Sequence, residues 1–202
     1  MNRRGGNTEG SYSAIATDNP PKITDDLEAL VDGGYRFRTI LADPPWRYSN
    51  TSSRAAAENH YRTMTVEQIC NEPIRQLIAD RAHLHLWATN AFLESAFTVM
   101  RAWGFEYKSC LVWAKPQIGL GNYWRVSHEF LMLGVRGRLR FGRNDVASWV
   151  VAPRTRHSRK PFRFRELIEQ VSPGPYLELY GREEQPNTEW TVYGNQVERR
   201  LF

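Results

Sequence analysis

The stretch "TILADPPWRYSN" (residues 39–50) sets a carboxylate, two prolines and an indole in four consecutive positions behind an apolar run. Proline fixes φ and has no N–H to give a sheet, so a strand built on "TILA" has to end at Asp43. Carboxylates are rarely left unpaired at the end of a buried strand. One chemistry that uses this set is the presentation of the exocyclic amine of a base to a methyl donor. Such an amine is a poor nucleophile because its lone pair is delocalised into the ring. A carboxylate accepting one N–H, and a proline carbonyl accepting the other, favour the pyramidal amine that can attack, and the indole offers a surface on which the base stacks. The gain comes from alignment rather than from a strong base. The plainer alternative is an Asx turn in which Asp43 serves only its own backbone.

Charge points the same way. Lys and Arg number 27 against 22 Asp and Glu, a net charge of +5. Ten basic residues fall between Arg136 and Arg165 (Arg136, Arg138, Arg140, Arg143, Arg154, Arg156, Arg159, Lys160, Arg163 and Arg165) with Asp145 the one acid among them. Such density is the footprint of a polyanion binder, with a solvated basic face as the alternative. His83 and His85 share one face of a strand, as metal ligands do, but no third ligand stands near in sequence. They read as core histidines, and no metal site is expected. Cys70 and Cys110 have no CxxC spacing, which fits a reducing, cytoplasmic setting. "GLGN" is too short for a phosphate loop.

These residues need a frame, and the pattern supplies one. "TDDLEALVDGG" reads as a helix with Asp25 and Glu28 at capping-box spacing and a glycine stop. "YRFRTILAD" reads as a strand. "TVEQICNEPIRQLIAD" reads as a helix opened by a Thr65–Gln68 capping box and broken or kinked at Pro73. "AHLHLWAT" is a strand, and "NAFLESAFTVMRAWG" a helix capped by Asn90 and stopped at Gly104. "FEYKSCLVWAK", "HEFLMLGVRG", "DVASWVVAP", "GPYLELYGR" and "EWTVYGNQ" read as strands, and "KPFRFRELIEQVSP" as a helix with Pro161 near its first turn. Trp103, Trp113 and Trp149, set among apolar neighbours, are expected in the core. Strands alternating with helices predict a single α/β domain with a largely parallel sheet flanked by helices. Ligands then bind outside the carboxyl ends of the strands, where Asp43, Thr89 and Gly181 fall. Residues 1–22, rich in Gly, Ser, Asn and Pro, read as a disordered leader and residues 23–202 as the catalytic domain. No run approaches the roughly 20 apolar residues of a membrane span.

Ordered motifs carry a resemblance: "ADPPW" (42–46), "HYRTM" (60–64), "LHLWAT" (84–89), "WGFE" (103–106), "VWAK" (112–115), "SHEFLMLGVRG" (127–137), "RKPFRF" (159–164), "LELYGR" (177–182) and "W-x3-GNQ" (190–196). Over residues 37–196 the chain resembles the MT-A70-like family of S-adenosylmethionine-dependent N6-adenine methyltransferases. The resemblance implies a Rossmann-like methyltransferase fold and S-adenosylmethionine as cofactor. It makes Asp43, Pro44, Pro45 and Trp46 the catalytic tetrapeptide, with Asp43 also near the amino end of the cofactor. Lys160 is implied to meet the cofactor carboxylate. Arg182, Asn195 and Gln196 are implied on its ribose and adenine, and Glu184 stands where eukaryotic members carry histidine. Tyr61, Trp87 and Glu129 are implied near the target base. Arg154, Arg156 and Arg159, from the basic run, are expected on the nucleic acid. For the acidic residue that the resemblance implies before the catalytic strand, Asp26 is the candidate by proximity in sequence. DNA is the first choice of polymer for a chain this short, and RNA the alternative. An inactive nucleic-acid-binding paralogue and an N4-cytosine methyltransferase are the remaining readings. A homodimer is one route to target selection.

Overall fold

The computed structural model describes residues 19–48, 63–119, 123–155, 159–183, 185–187 and 189–194. Strand β1 (Ile23–Thr24) leads into helix α1 (Leu27–Asp32). Asp26, and not Asp25, is the N-cap: its Oδ1 accepts from Ala29 N at 3.1 Å. Thr24 lies in β1 and its hydroxyl accepts from Asp26 N, which sets the cap one residue later than the sequence spacing implies. Asp26 is thus committed to its helix. Strand β2 (Phe37–Ala42) follows, buried at all but one position, as a strand covered on both faces must be.

The next helical run divides at Pro73, as its sequence implies. Helix α2 (Val66–Cys70) opens with the full Thr65–Gln68 capping box, while α3 (Ile74–Leu77) is a single turn behind the proline. The chain then enters β3 (Ile78–Ala88), which begins earlier than its alternating pattern. Asn90 does not cap the following helix. It starts a 3-10 turn (Asn90–Phe92), Thr89 takes the flanking position, and α4 (Leu93–Ala102) continues from there. Strands β4 (Glu106–Ala114), β5 (His128–Arg136) and β6 (Trp149–Val151), helix α5 (Arg163–Val171), and strands β7 (Tyr176–Leu179) and β8 (Trp190–Tyr193) complete the described elements.

The sheet order is β1-β8-β7-β2-β3-β5-β4-β6. All neighbours run parallel except β5, which is antiparallel to both β3 and β4. From β2 the chain crosses to β3 on one side and later returns to β7 on the other. The carboxyl end of β2 is therefore a topological switch point, where open α/β sheets hold ligands. One core packs α1 to α4 against the sheet through Phe37, Ile40, Leu84, Leu86, Ile69 and Trp103. The other packs α5 through Phe164 and Ile168 against Leu41, Trp87, Trp113 and Trp190.

Two expectations change. Trp103 and Trp113 are core, but Trp149 is 60% exposed: it sits on a three-residue edge strand whose middle residue, Val150, takes the inward position. The basic run also does not form one face. Because β5 is antiparallel, it carries the chain from the carboxyl edge at His128 to the opposite edge, where Arg136 pairs with Ala82. Arg138, Arg140 and Arg143 follow there, and Gly142 N donates to Val171 O at the far end of α5. Arg154, Arg159 and Lys160 come after β6 has returned the chain to the carboxyl edge. Among the described residues no helix is long and apolar enough to cross a membrane.

Candidate active site

A cavity of about 550 Å³ opens at the switch point, a volume that suits a cofactor-sized ligand. Its walls are the strand ends that the topology brings together: Asp43 to Trp46 after β2, Trp87 to Thr89 at the end of β3, Glu129 at the start of antiparallel β5, Tyr180 to Arg182 after β7, and Tyr193 and Gly194 at the end of β8. Thr63, Met64, Gln68 and Glu72 close it from the α2 side. The ends of β7 and β8 touch through backbone: a Cβ on Gly194 would lie 2.0 Å from Gly181 O, so no larger residue fits there.

The tetrapeptide is rigid by its own hydrogen bonds. Trp46 N donates to Pro44 O at 2.8 Å across a three-residue turn, and Met64 N donates to Pro45 O at 2.8 Å. Each proline carbonyl keeps a second lone pair. Trp46 is buried, its indole stacked on Phe92 at 5.2 Å and 15° with Nε1 donating to Trp87 O at 3.4 Å. It forms a fixed wall rather than a free flap. The Asx-turn alternative for Asp43 finds no support: its recorded partner is a side chain 117 residues away, Lys160, whose Nζ donates to Oδ2 at 2.7 Å. Among the described residues Oδ1 accepts no hydrogen bond.

Lys160 belongs to a chain of alternating charges. Its Nζ also lies 3.3 Å from Glu129 Oε2 and 5.2 Å from the centre of the Trp87 ring. The other oxygen of Glu129 accepts from Lys115 Nζ, itself over the Trp113 ring at 4.3 Å. Burial alone would lower the Lys160 pKa, but the Asp43 and Glu129 carboxylates outweigh it and hold the ammonium above the ordinary lysine value. Burial likewise pushes Glu129 up, and Lys160 and Lys115 overcome it and hold the carboxyl below the usual glutamate value. Lys160 and Glu129 are therefore charged at neutral pH, and an ammonium with three N–H donors keeps one for a ligand after serving Asp43 and Glu129.

Behind this row, Arg165 Nη2 donates to both oxygens of Glu178 at 2.6 and 2.7 Å. Desolvation raises the Glu178 pKa, with Arg165 opposing. Of the other residues singled out in the sequence, Trp87, Glu129 and Arg182 line the cavity. Arg159 pairs with Glu183, and Arg154 is exposed, its N–H donating to Gln117 Oε1 at 3.3 Å. Tyr61, Arg156, Glu184, Asn195 and Gln196 lie outside the described residues. Lys115, Gln68, Glu72, Tyr180 and Tyr193 had no site role in the sequence pattern, where Gln68 is marked only as half of a capping box. Lys115 ends the "VWAK" motif and Tyr180 sits inside "LELYGR", so strand-end position was the signal available for both.

Known proteins share this pattern. The profile of the MT-A70 family matches residues 37–196. The chain is 29% identical over 209 residues to the N(6)-adenosine-methyltransferase subunit METTL3 of Danio rerio, covering 94% of this chain and 34% of that protein. It is 29% identical over 192 residues to the human N(6)-adenine-specific methyltransferase METTL4, covering 85% of this chain and 39% of the relative. It is 25% identical over 169 residues to the Type II methyltransferase M.MunI of Mycoplasma sp, covering 73% and 72%.

Proposed function

We propose, starting from the fact that this chain belongs to the MT-A70 family, that it methylates the N6 amine of adenine in nucleic acid, with DNA as the polymer and RNA as the alternative. Family membership brings S-adenosylmethionine as the cofactor. The cavity fits that group by the chemistry of its donors: a carboxylate–ammonium–carboxylate row at one end matches an amino-acid tail, and a wall of Tyr180, Tyr193 and Gly194 gives a flat, partly apolar surface for a nucleoside. Lys160 would hold the cofactor carboxylate and Arg182 its ribose, with Asn195, Gln196 and Glu184 proposed beside them. When bound, the cofactor supplies an electrophilic methyl group.

The observation that carries the reading is the state of Asp43. Lys160 fixes one carboxylate oxygen and leaves the other without a protein donor among the described residues. That oxygen accepts one N–H of the target amine, and the spare lone pair of Pro44 O accepts the other. The two acceptors orient the nitrogen lone pair, and the fixed walls of Trp46 and Trp87 confine the base. Adenine reaches this cavity only when unstacked or single-stranded. DNA is placed first because one relative, of which this chain covers 72%, is a Type II methyltransferase. The test is incubation with S-adenosylmethionine and either DNA or RNA, followed by digestion and mass spectrometry of the nucleosides. N6-methyl-2′-deoxyadenosine is the expected product; N6-methyladenosine alone moves the substrate to RNA, and N4-methylcytosine or no methylated nucleoside overturns the reading.

A further inference from the structure

We infer that Tyr123 and Trp124 form a stacking platform for the nucleobases that flank the target adenine, with Arg125 and Arg154 placed for the adjoining phosphates. This rests on the proposed action on nucleic acid and adds where the polymer lies. Tyr123 is 95% exposed and Trp124 91%. Neither belongs to a core cluster, and two adjacent large aromatics held in water are a surface looking for a partner.

Their position is defined. The segment leaves β4 at Ala114 and rejoins the sheet at His128, which are register partners, and Glu129 beside His128 lines the cavity. The aromatic pair therefore projects from the rim of the site. Its stem is braced: Lys115 N donates to Ser127 O at 2.7 Å, and Arg125 Nε donates to Gly119 O at 2.8 Å. A Cβ on Gly119 would stand 2.0 Å from Val126 O and 2.7 Å from Arg154 Nη2, so the two sides of the stem meet at a contact that only glycine permits. Two guanidinium groups thus converge on Gly119 in the stem of the segment that carries the exposed rings. Aromatic faces interleaved with arginines are how single-stranded nucleic acid is held, bases stacked and phosphates neutralised. A base extruded into the cavity leaves its neighbours unstacked at the rim, which is the surface these rings offer.

The experiment uses short single-stranded oligonucleotides containing one adenine, with 2-aminopurine as either neighbour, and compares the full chain with Trp124→Ala, Tyr123→Ala and Trp124→Phe. Wild type is expected to quench 2-aminopurine. Trp124→Ala is expected to lose the quenching, weaken oligonucleotide binding on the order of tenfold and raise the oligonucleotide KM, leaving kcat and the calorimetric affinity for S-adenosylmethionine unchanged; Trp124→Phe is expected to retain most of the binding. Unchanged affinity and quenching in both alanine variants overturns the platform, as does a change confined to oligomeric state in light scattering. Failure of the functional reading looks different: wild type quenches and binds but transfers no methyl group.

Discussion

Asp43 is held by one cation and open to one ligand. Lys160, fixed between Asp43 and Glu129, keeps the Asp43 carboxylate in one orientation, so the role proposed for the residue is one of geometry. Asp43→Ala removes the acceptor outright, and Asp43→Asn replaces one acceptor oxygen with a donor that points at the amine it should receive. Both are expected to lower kcat by at least about 10², the loss that accompanies misplaced reacting groups. The affinity for S-adenosylmethionine, measured by calorimetry, is expected to fall less. Turnover at the wild-type rate in either variant overturns the assignment. Lys160→Met is expected to act on both quantities, since it removes the proposed partner of the cofactor carboxylate and the cation that pairs with Asp43 and shares Glu129 with Lys115. Because the Lys160 ammonium is held above its ordinary value and the Glu129 carboxyl below its own, neither supplies a limb to the pH–rate profile near neutrality.

At the scale of elements, the joint between β3 and the end of α5 has its own chemistry. His83 Nδ1 and His85 Nε2 each lie 2.8 Å from Ser172 Oγ, and all three residues are buried. One hydroxyl proton serves one ring while the oxygen accepts from the other, so the arrangement is satisfied with both imidazoles neutral. Burial, with His83 adding to it, lowers the His85 pKa to about 3, and burial lowers that of His83 as well. A histidine depressed in the folded state favours folding fully above its unfolded value of 6.5 and loses that contribution as pH falls toward the folded value. Thermal melts are therefore expected to show stability falling below pH ~6.5, by roughly 1.4 kcal/mol per pH unit for His85. Ser172→Ala strands two buried ring nitrogens and is expected to cost about 1–3 kcal/mol at neutral pH; a melting temperature equal to wild type refutes the coupling. This joint was partly legible in the sequence. The histidines were readable as core from their strand face and the lack of a third ligand, but Ser172 lies 89 residues beyond His83, and no local pattern records a tertiary partner. Local chemistry decided what could be read: the Thr65–Gln68 box and the break at Pro73 stand as written, whereas the caps at Asp26 and Thr89 shifted by one residue because β1 pairing and a 3-10 turn took the neighbouring positions.

For the whole molecule, the direction of one strand decides which sheet edge each basic residue reaches. The position of Asp43 was readable because two prolines must end β2. The split of the basic run was not, because it depends on β5 lying antiparallel to β3 and β4, a pairing that periodicity does not encode. That reversal sends Arg138 and Arg140 to the sheet edge remote from the cavity, and there Arg143 is tied to Asp145 and Gln170. Arg154 stands on the cavity edge, exposed, beside the stem that carries Trp124. Each phosphate contact releases counterions, so losing one lowers the slope of log affinity against log salt by about 1. Fluorescence anisotropy with a labelled oligonucleotide over a salt series is expected to give that reduction for Arg154→Ala and an unchanged slope for Arg140→Ala. The reverse result, Arg140 carrying the salt dependence and Arg154 none, would place the nucleic acid on the opposite edge of the sheet. A base lodged against Asp43 would then have to belong to a strand wrapping around the domain, and catalysis would no longer follow from the crevice at the end of β2 by itself.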